Sequence, residues 1–284
     1  MAVLLKGQPV AKALTKQLVE RVEALKGKGI TPTLAIVRVG ERDDDLSYER
    51  GATKRCDVVG IEVRKFVLPA DCSQNDLMDA IAQVNADAGI HGCLMFRPLP
   101  KTLDEAAACA ALDSAKDVDC ITEGSLFGVF ANRAVGFPPC TAEACIQLLD
   151  HYGYDLSGAE VTVVGRSLVI GKPVSMMLQA RNATVTMCHT RTRDLAAACR
   201  KAEILVVAAG HIGTVGANAV SADQVVVDVG INWDESAGKL CGDVAFDEVE
   251  PLVGAITPVP GGVGAVTTAV LAKHVVEAAE RALG

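Results

Sequence analysis

Val161-Thr162-Val163-Val164-Gly165-Arg166-Ser167-Leu168-Val169-Ile170-Gly171-Lys172-Pro173 is the stretch that decides the fold. Four strand-favouring residues run straight into a glycine, and a second glycine opens an amphipathic helical pattern. A glycine at a strand's carboxyl end permits a tight turn. A glycine at the start of the next helix lets a pyrophosphate approach the exposed backbone N–H groups and the positive helix end. Ser167 occupies the middle position of what would otherwise read G-x-G-x-x-G. The motif alone is therefore equally compatible with a plain strand-to-helix turn.

The surrounding sequence continues the pattern. Strands are expected at Thr184 to Cys188, Ile204 to Ala208 and Val225 to Val229, with helices from Gly171 and near Leu195. Upstream, Val10, Leu14, Leu18, Val22 and Leu25 recur at helical spacing, and Leu34 to Val39 reads as a buried strand closed by Gly40. Leu46 to Val59 is expected to be helical and Glu62 to Leu68 extended. Ser73 can cap a helix running to about Ala88, and Gly92 to Phe96 is a further short strand. Phe137-Pro138-Pro139 interrupts both periods, and Thr141 can cap the helix that follows. A last helix is expected from about Gly264 to Ala282.

This alternation predicts an α/β fold with two domains, an N-terminal α/β domain and a Rossmann-like domain, which the family resemblance set out by its motifs makes the catalytic and the NAD(P)-binding domain respectively. The first should comprise residues 1–138 plus 265–284, the final helix packing back on it, and the second residues 139–264. Half of the 284 residues are apolar and only 4% are aromatic, an aliphatic composition that suits parallel strands covered on both faces. A net charge of −8 argues against nucleic acid as a partner. No run is long enough to span a membrane, and Met1 to Gly7 lacks a signal-peptide core, so a soluble, cytoplasmic protein is expected. The ten cysteines are scattered without a C-x-x-C pair, which favours small buried hydrophobes over disulfides or a metal site.

The end of the second nucleotide strand suggests which dinucleotide binds. Cys188-His189-Thr190-Arg191 carries no carboxylate where an NAD-preferring fold offers one to the ribose hydroxyls. Arg166, Thr190, Arg191 and Arg193 instead supply cations and a hydroxyl, which favours NADP, with NAD still possible. The alternative is that these arginines are solvated surface charges.

Several stretches together resemble the methylenetetrahydrofolate dehydrogenase/cyclohydrolase family. They are Gly165-Arg166-Ser167 through Pro173, Ala183-Thr184-Val185-Thr186, Val227-Asp228-Val229-Gly230-Ile231-Asn232 and Gly242-Asp243-Val244. The loop Ile256-Thr257-Pro258-Val259-Pro260-Gly261-Gly262-Val263-Gly264 is the most specific, and Pro98-Leu99-Pro100, Lys116-Asp117-Val118-Asp119 and Pro139-Cys140-Thr141 also correspond. The resemblance implies a homodimer of two-domain chains, with folate in a cleft against the first domain and the nicotinamide reaching it from the second. It places Tyr48 and Asp119 at the catalytic centre. Tyr48 would lie near the pterin and Asp119 would accept from its ring N–H and amino groups, although a turn or helix-start role for Asp119 is the alternative. Phe96, Pro260, Gly261 and Gly262 would complete the substrate site. Gly165, Arg166, Ser167, Gly171, Thr190 and Ile231 would hold the cofactor.

The chain departs from that pattern in two places. The family's tyrosine is followed four residues later by a lysine, but here the position is Ala52. Lys54 lies about 200° further around the helix, and Arg55 cannot release a proton at working pH. The family's partner glutamine is replaced by Phe96, and Arg97 should face the other way. Ring-opening hydration of a methenyl group needs a positioned proton donor and acceptor, whereas hydride transfer chiefly needs alignment. The expected activity is therefore an NADP-linked methylenetetrahydrofolate dehydrogenase with weak or absent cyclohydrolase. The alternatives are a fully bifunctional enzyme, a non-catalytic folate- or nucleotide-binding relative, or a dehydrogenase of another small substrate.

Overall fold

The structure, a computed structural model, describes residues 2–283; Met1 and Gly284, the outer ends of the sequence-based division, lie outside the described residues. The first half runs β1 (Val3–Leu4), α1 (Gly7–Lys26), β2 (Thr33–Val39), α2 (Asp43–Val59), β3 (Glu62–Leu68), α3 (Gln74–Ala86) and β4 (Gly92–Met95). Helices α4 (Glu105–Ala111), α5 (Glu123–Ala131) and α6 (Cys140–His151) follow. The second half runs β5 (Glu160–Val164), α7 (Gly171–Ala180), β6 (Thr184–Cys188), α8 (Leu195–Arg200), β7 (Ile204–Val207) and β8 (Val225–Asp228). A hairpin of β9 (Asn232–Asp234) and β10 (Lys239–Cys241) precedes α9 (Phe246–Val249), β11 (Ala255–Ile256) and α10 (Thr267–Arg281). None of the described helices is long and apolar enough to cross a membrane.

The chain divides into two compact units. The amino-terminal unit, residues 13–140 with 268–283, is built on a parallel sheet of order β3-β2-β4. Strand β2 is buried along its whole length, and its alternate residues serve two faces. Ala35, Val37 and Val39 join Leu77, Ile81 and Val84 of α3 in one core. Leu34, Ile36 and Arg38 point the other way. The α3 start is fixed by Ser73, whose Oγ accepts the Asp76 N–H while the Asp76 carboxylate accepts the Ser73 N–H, a reciprocal cap. The last helix belongs to this unit, tied to α1 by the Arg21 guanidinium, whose Nε donates to Glu280 Oε1 at 2.9 Å.

The second unit, residues 2–12 with 141–267, has a six-stranded sheet of order β1-β11-β8-β7-β5-β6, parallel throughout. It differs from the sequence-based division at the amino terminus. Residues 3 and 4 form its edge strand, with Val3 N–H donating to Gly254 O and Leu5 N–H to Ile256 O, both at 2.9 Å. That pairing is made by the main chain, and a two-residue strand leaves no hydrophobic period to read.

One buried ion cluster clamps α2 to the sheet. Arg38 Nε donates to Glu49 Oε2 at 2.9 Å, Lys65 Nζ lies 2.7 Å from Glu49 Oε1, and Arg38 also bonds the Gly40 carbonyl. Burial works against the Glu49 carboxylate, but Lys65 and Arg38 together hold it below the usual carboxylate range. Glu49 adjoins Tyr48, so this cluster fixes where Tyr48 stands. Glu49→Ala leaves the Arg38 charge buried without its partner and should lower the unfolding free energy by about 3–5 kcal/mol in urea titrations. A loss under about 1 kcal/mol would mean that the cluster is idle.

Candidate active site

In the amino-terminal unit the site grows out of the carboxyl end of β4. Cys93 N–H donates to Lys116 O at 2.6 Å, and Cys93 pairs with Asp117 in a parallel bridge. Asp119 lies two residues beyond that bridge. Tyr48 meets Phe96 edge-on, with ring centroids 6.0 Å apart and planes at 81°. Phe96 follows β4 directly, so this pair stands at the carboxyl end of the sheet, where open α/β sheets bind their ligands. Ala52 is fully buried, Lys54 is exposed, and Arg55 NH1 turns toward α1 to donate to Thr15 Oγ1 at 2.7 Å. Arg97 faces Glu105 at 3.6 Å.

The loop that presents Asp119 is held from below. Lys116 Nζ donates to the carbonyls of Val84, Asn85 and Asp87 at 2.7, 3.0 and 2.7 Å, closing the end of α3. The fully buried Asp117 carboxylate accepts the N–H groups of Asp119, Ile121 and Thr122. His274 of α10 donates from Nδ1 to Val118 O at 2.8 Å, and the Cys140 thiol donates to the same carbonyl. Cys120 has φ of 61°, a left-handed conformation uncommon for a residue with a side chain.

Asp119 itself accepts the Cys140 N–H at 2.9 Å and so caps α6. This corrects the expected cap, since Thr141 lies inside the helix. Burial pushes the Asp119 carboxyl up, and the Cys140 N–H pulls it partly back. As a residue Asp119 is half-buried, and its carboxyl is the part that burial acts on.

In the second unit Gly165 has φ of 131°, and a Cβ there would lie 2.2 Å from Ala208 O. At Gly171 a Cβ would lie 2.3 Å from Gly165 O, so both positions exclude any side chain. Ser167 explains the missing middle glycine: its Oγ accepts the N–H groups of Ile170 and Gly171 at 3.1 and 3.4 Å, capping α7 where Ile170 cannot. Arg166, Thr190, Arg191 and Arg193 are all exposed. His189 is used within the turn, its Nδ1 accepting the Arg191 N–H. Asp194 commits its carboxylate to the Ala197 N–H at the start of α8. The exposed cations around Thr190 fit a dinucleotide bearing a 2′-phosphate.

Sequence reasoning missed the groups that shape the other end of this site. Asp228, 2% exposed, accepts the N–H groups of Gly230, Asp243 and Val244, each at 3.0 Å, and its own N–H donates to Thr257 Oγ1. Asp243 accepts from Ala209 N, Gly210 N and Asn232 Nδ2. These bonds tie the ends of β7, β8 and β10 to the loop before α10. A cavity of about 320 Å³ lies over them and brings Ile231 together with Pro260, Gly261 and Gly262. The available signal was an aspartate ending an apolar strand with glycine close by, at Asp228 and Asp243.

Fold and site define a two-unit α/β protein whose second unit is a Rossmann-like dinucleotide binder. The family model for the tetrahydrofolate dehydrogenase/cyclohydrolase catalytic domain matches residues 5–119, and the one for its NAD(P)-binding domain matches residues 139–283. The bifunctional protein FolD of Carboxydothermus hydrogenoformans is 51% identical over 281 residues, 99% of this chain and 98% of that protein. The protein of the same name from Clostridioides difficile is 48% identical, over 97% of this chain and 96% of its own. Among solved structures, the bifunctional FolD of Campylobacter jejuni superposes with a TM-score of 0.95 at 36% identity, covering 99% of both chains. The Trypanosoma brucei methylenetetrahydrofolate dehydrogenase-cyclohydrolase, complexed with NADP and an inhibitor, superposes at 0.91 with 34% identity, over 99% of this chain and 98% of its own. The chain belongs to the tetrahydrofolate dehydrogenase/cyclohydrolase family.

Burial pushes the Asp228 carboxyl up to about 6 despite its three N–H donors, and the charge of Asp243 adds to the shift. The folded value lies above the ordinary 3.8, so the stability it contributes is complete below about pH 4 and is lost as pH rises through 6, at most about 3 kcal/mol. In denaturant titrations the stability of the wild type relative to Asp228→Asn should fall across that window. Parallel pH profiles for the two proteins would refute the assignment.

Proposed function

We propose that this chain oxidises 5,10-methylenetetrahydrofolate to 5,10-methenyltetrahydrofolate with NADP and also hydrolyses the methenyl product. The observation that carries the first activity is the turn from β5 into α7, where Gly165 and Gly171 exclude side chains and Ser167 caps the helix, in a chain whose other unit sets Tyr48 against Phe96 at its sheet end. Folate binds the unit of residues 13–140 and 268–283, and the dinucleotide binds the other. NADP, when bound, supplies the nicotinamide that takes the hydride.

The residues of the chain then act by position. Asp119 accepts from the N–H and amino groups on the pterin edge, and Tyr48 and Phe96 flank the ring. Pro260, Gly261 and Gly262 let backbone come close to the ligands. Gly165, Ser167 and Gly171 offer backbone to the pyrophosphate, Arg166 and Thr190 receive the 2′-phosphate, and Ile231 lies against the cofactor's apolar edge. The hydride leaves the methylene carbon with its electron pair, and the lone pair of the adjacent nitrogen stabilises the resulting cation, so alignment governs the rate. The same reading makes the protein a cytoplasmic homodimer.

Hydration of the methenyl carbon has to proceed without an ammonium at position 52. The names of the relatives support its retention, with Tyr48 and water carrying the proton. Buried Ala52 and the Tyr48–Phe96 contact favour a second reading, in which hydration is slow and the dehydrogenase stands alone. One experiment separates the readings: purified protein given methylenetetrahydrofolate with NADP or NAD, and separately methenyltetrahydrofolate. The proposal expects faster reduction of NADP than of NAD and a loss of the methenyl chromophore well above the buffer rate. Chromophore loss at the buffer rate would leave the second reading, and failure to reduce either dinucleotide would refute both.

A further inference from the structure

The amino-terminal unit holds a second cavity, of about 550 Å³, at the opposite end of its sheet. His91 lines it, immediately before β4, whereas Phe96 follows the other end of that strand, about 16 Å away along an extended chain. The volume is in the range of small-molecule sites. Much of the wall is apolar, formed by Ala88, Ile90, Val135 and Ala278.

Three polar groups give this wall a chemical preference. His91 is nine-tenths buried, and its Nδ1 accepts the Thr33 N–H at 3.2 Å. Burial, with Lys116 and Arg64 nearby, holds its pKa below the ordinary histidine value. A ring nitrogen that accepts an N–H carries no proton, so Nδ1 is bare and the ring proton sits on Nε2, which has no hydrogen-bond partner among the described residues. The Arg281 guanidinium lies 4.0 Å over the Phe137 ring and donates from NH1 to Gly136 O at 2.8 Å. Phe137 in turn stacks on the buried His274 at 4.9 Å, so the exposed Arg281 leans on a ring that is itself anchored. Lys116 uses its donors on three carbonyls yet keeps its charge beside the cavity. Asp113 faces them as the opposing carboxylate, with Oδ1 accepting the Ala115 N–H. Among the lining residues two cations and a neutral donor outweigh one anion above an apolar floor, and Asp87, which also acts on His91 and Lys116, is paired with Arg64 at 2.7 Å.

We propose that this cavity is a second ligand site, which takes a small organic carboxylate with its apolar body on the alanine-rich wall and its anionic end on Arg281 and His91 Nε2–H. The assignment is independent of the folate chemistry. It is tested by calorimetric titration of the whole chain with 2-naphthoate, with the neutral 2-naphthamide as control, repeated on Arg281→Met and in saturating tetrahydrofolate. Saturable one-to-one binding is expected, weakened at least tenfold by the amide and by Arg281→Met and unchanged by tetrahydrofolate. The His91 Nε2–H resonance should shift on titration. Absence of saturable binding, equal affinity in Arg281→Met, or displacement by tetrahydrofolate would overturn the proposal.

Discussion

Where a parallel strand ends and the chain turns back, backbone N–H groups leave the ladder and must find acceptors, and in this protein aspartate side chains provide them. Asp117 serves the turn after the segment beside β4, and Asp119 serves the first N–H of α6. Asp228 and Asp243 serve the loops that follow β7, β8 and β10. A buried N–H left without an acceptor costs about 1–3 kcal/mol, so these carboxylates determine the shape of the loops. Because ligand sites of such sheets lie at the same carboxyl ends, the groups that hold the loops also hold the site.

The elements of the fold were readable wherever a period repeats several times. Thr184 to Cys188 and the helix at Leu195 fall where the sequence places them, and the Ser73 cap forms as expected. The edge strand at Val3–Leu4 and the β9–β10 hairpin were not readable, being too short to carry a period. The site residues were found largely through resemblance, which could not say why each is there. Ser167 interrupts the glycine motif in the sequence, and its hydroxyl caps α7 in the structure. The sequence leaves Asp119 as either a ligand or a turn carboxylate, and its geometry makes it the acceptor for the first N–H of α6.

Position 52 is a buried alanine, and Phe96 stands edge-on to Tyr48. The two aromatic rings make an apolar surface at the sheet end. Such a surface can align a flat ring for hydride transfer, a step that draws its electrons from the substrate's own nitrogen. Adding water to the same carbon makes the heavier demand, because a proton must be moved and the Ala52 side chain cannot move one.

Asp119→Asn is the most direct test of the account, because an amide oxygen can still accept the Cys140 N–H while the carboxylate is lost. With methylenetetrahydrofolate and NADP, kcat/KM should fall ten- to hundredfold, the cost of losing charge-assisted hydrogen bonds of about 1.5–3 kcal/mol, with the thermal midpoint nearly unchanged. An Asp119→Asn enzyme that matches the wild type in kcat/KM would show that Asp119 only caps a helix and that the pterin lies elsewhere.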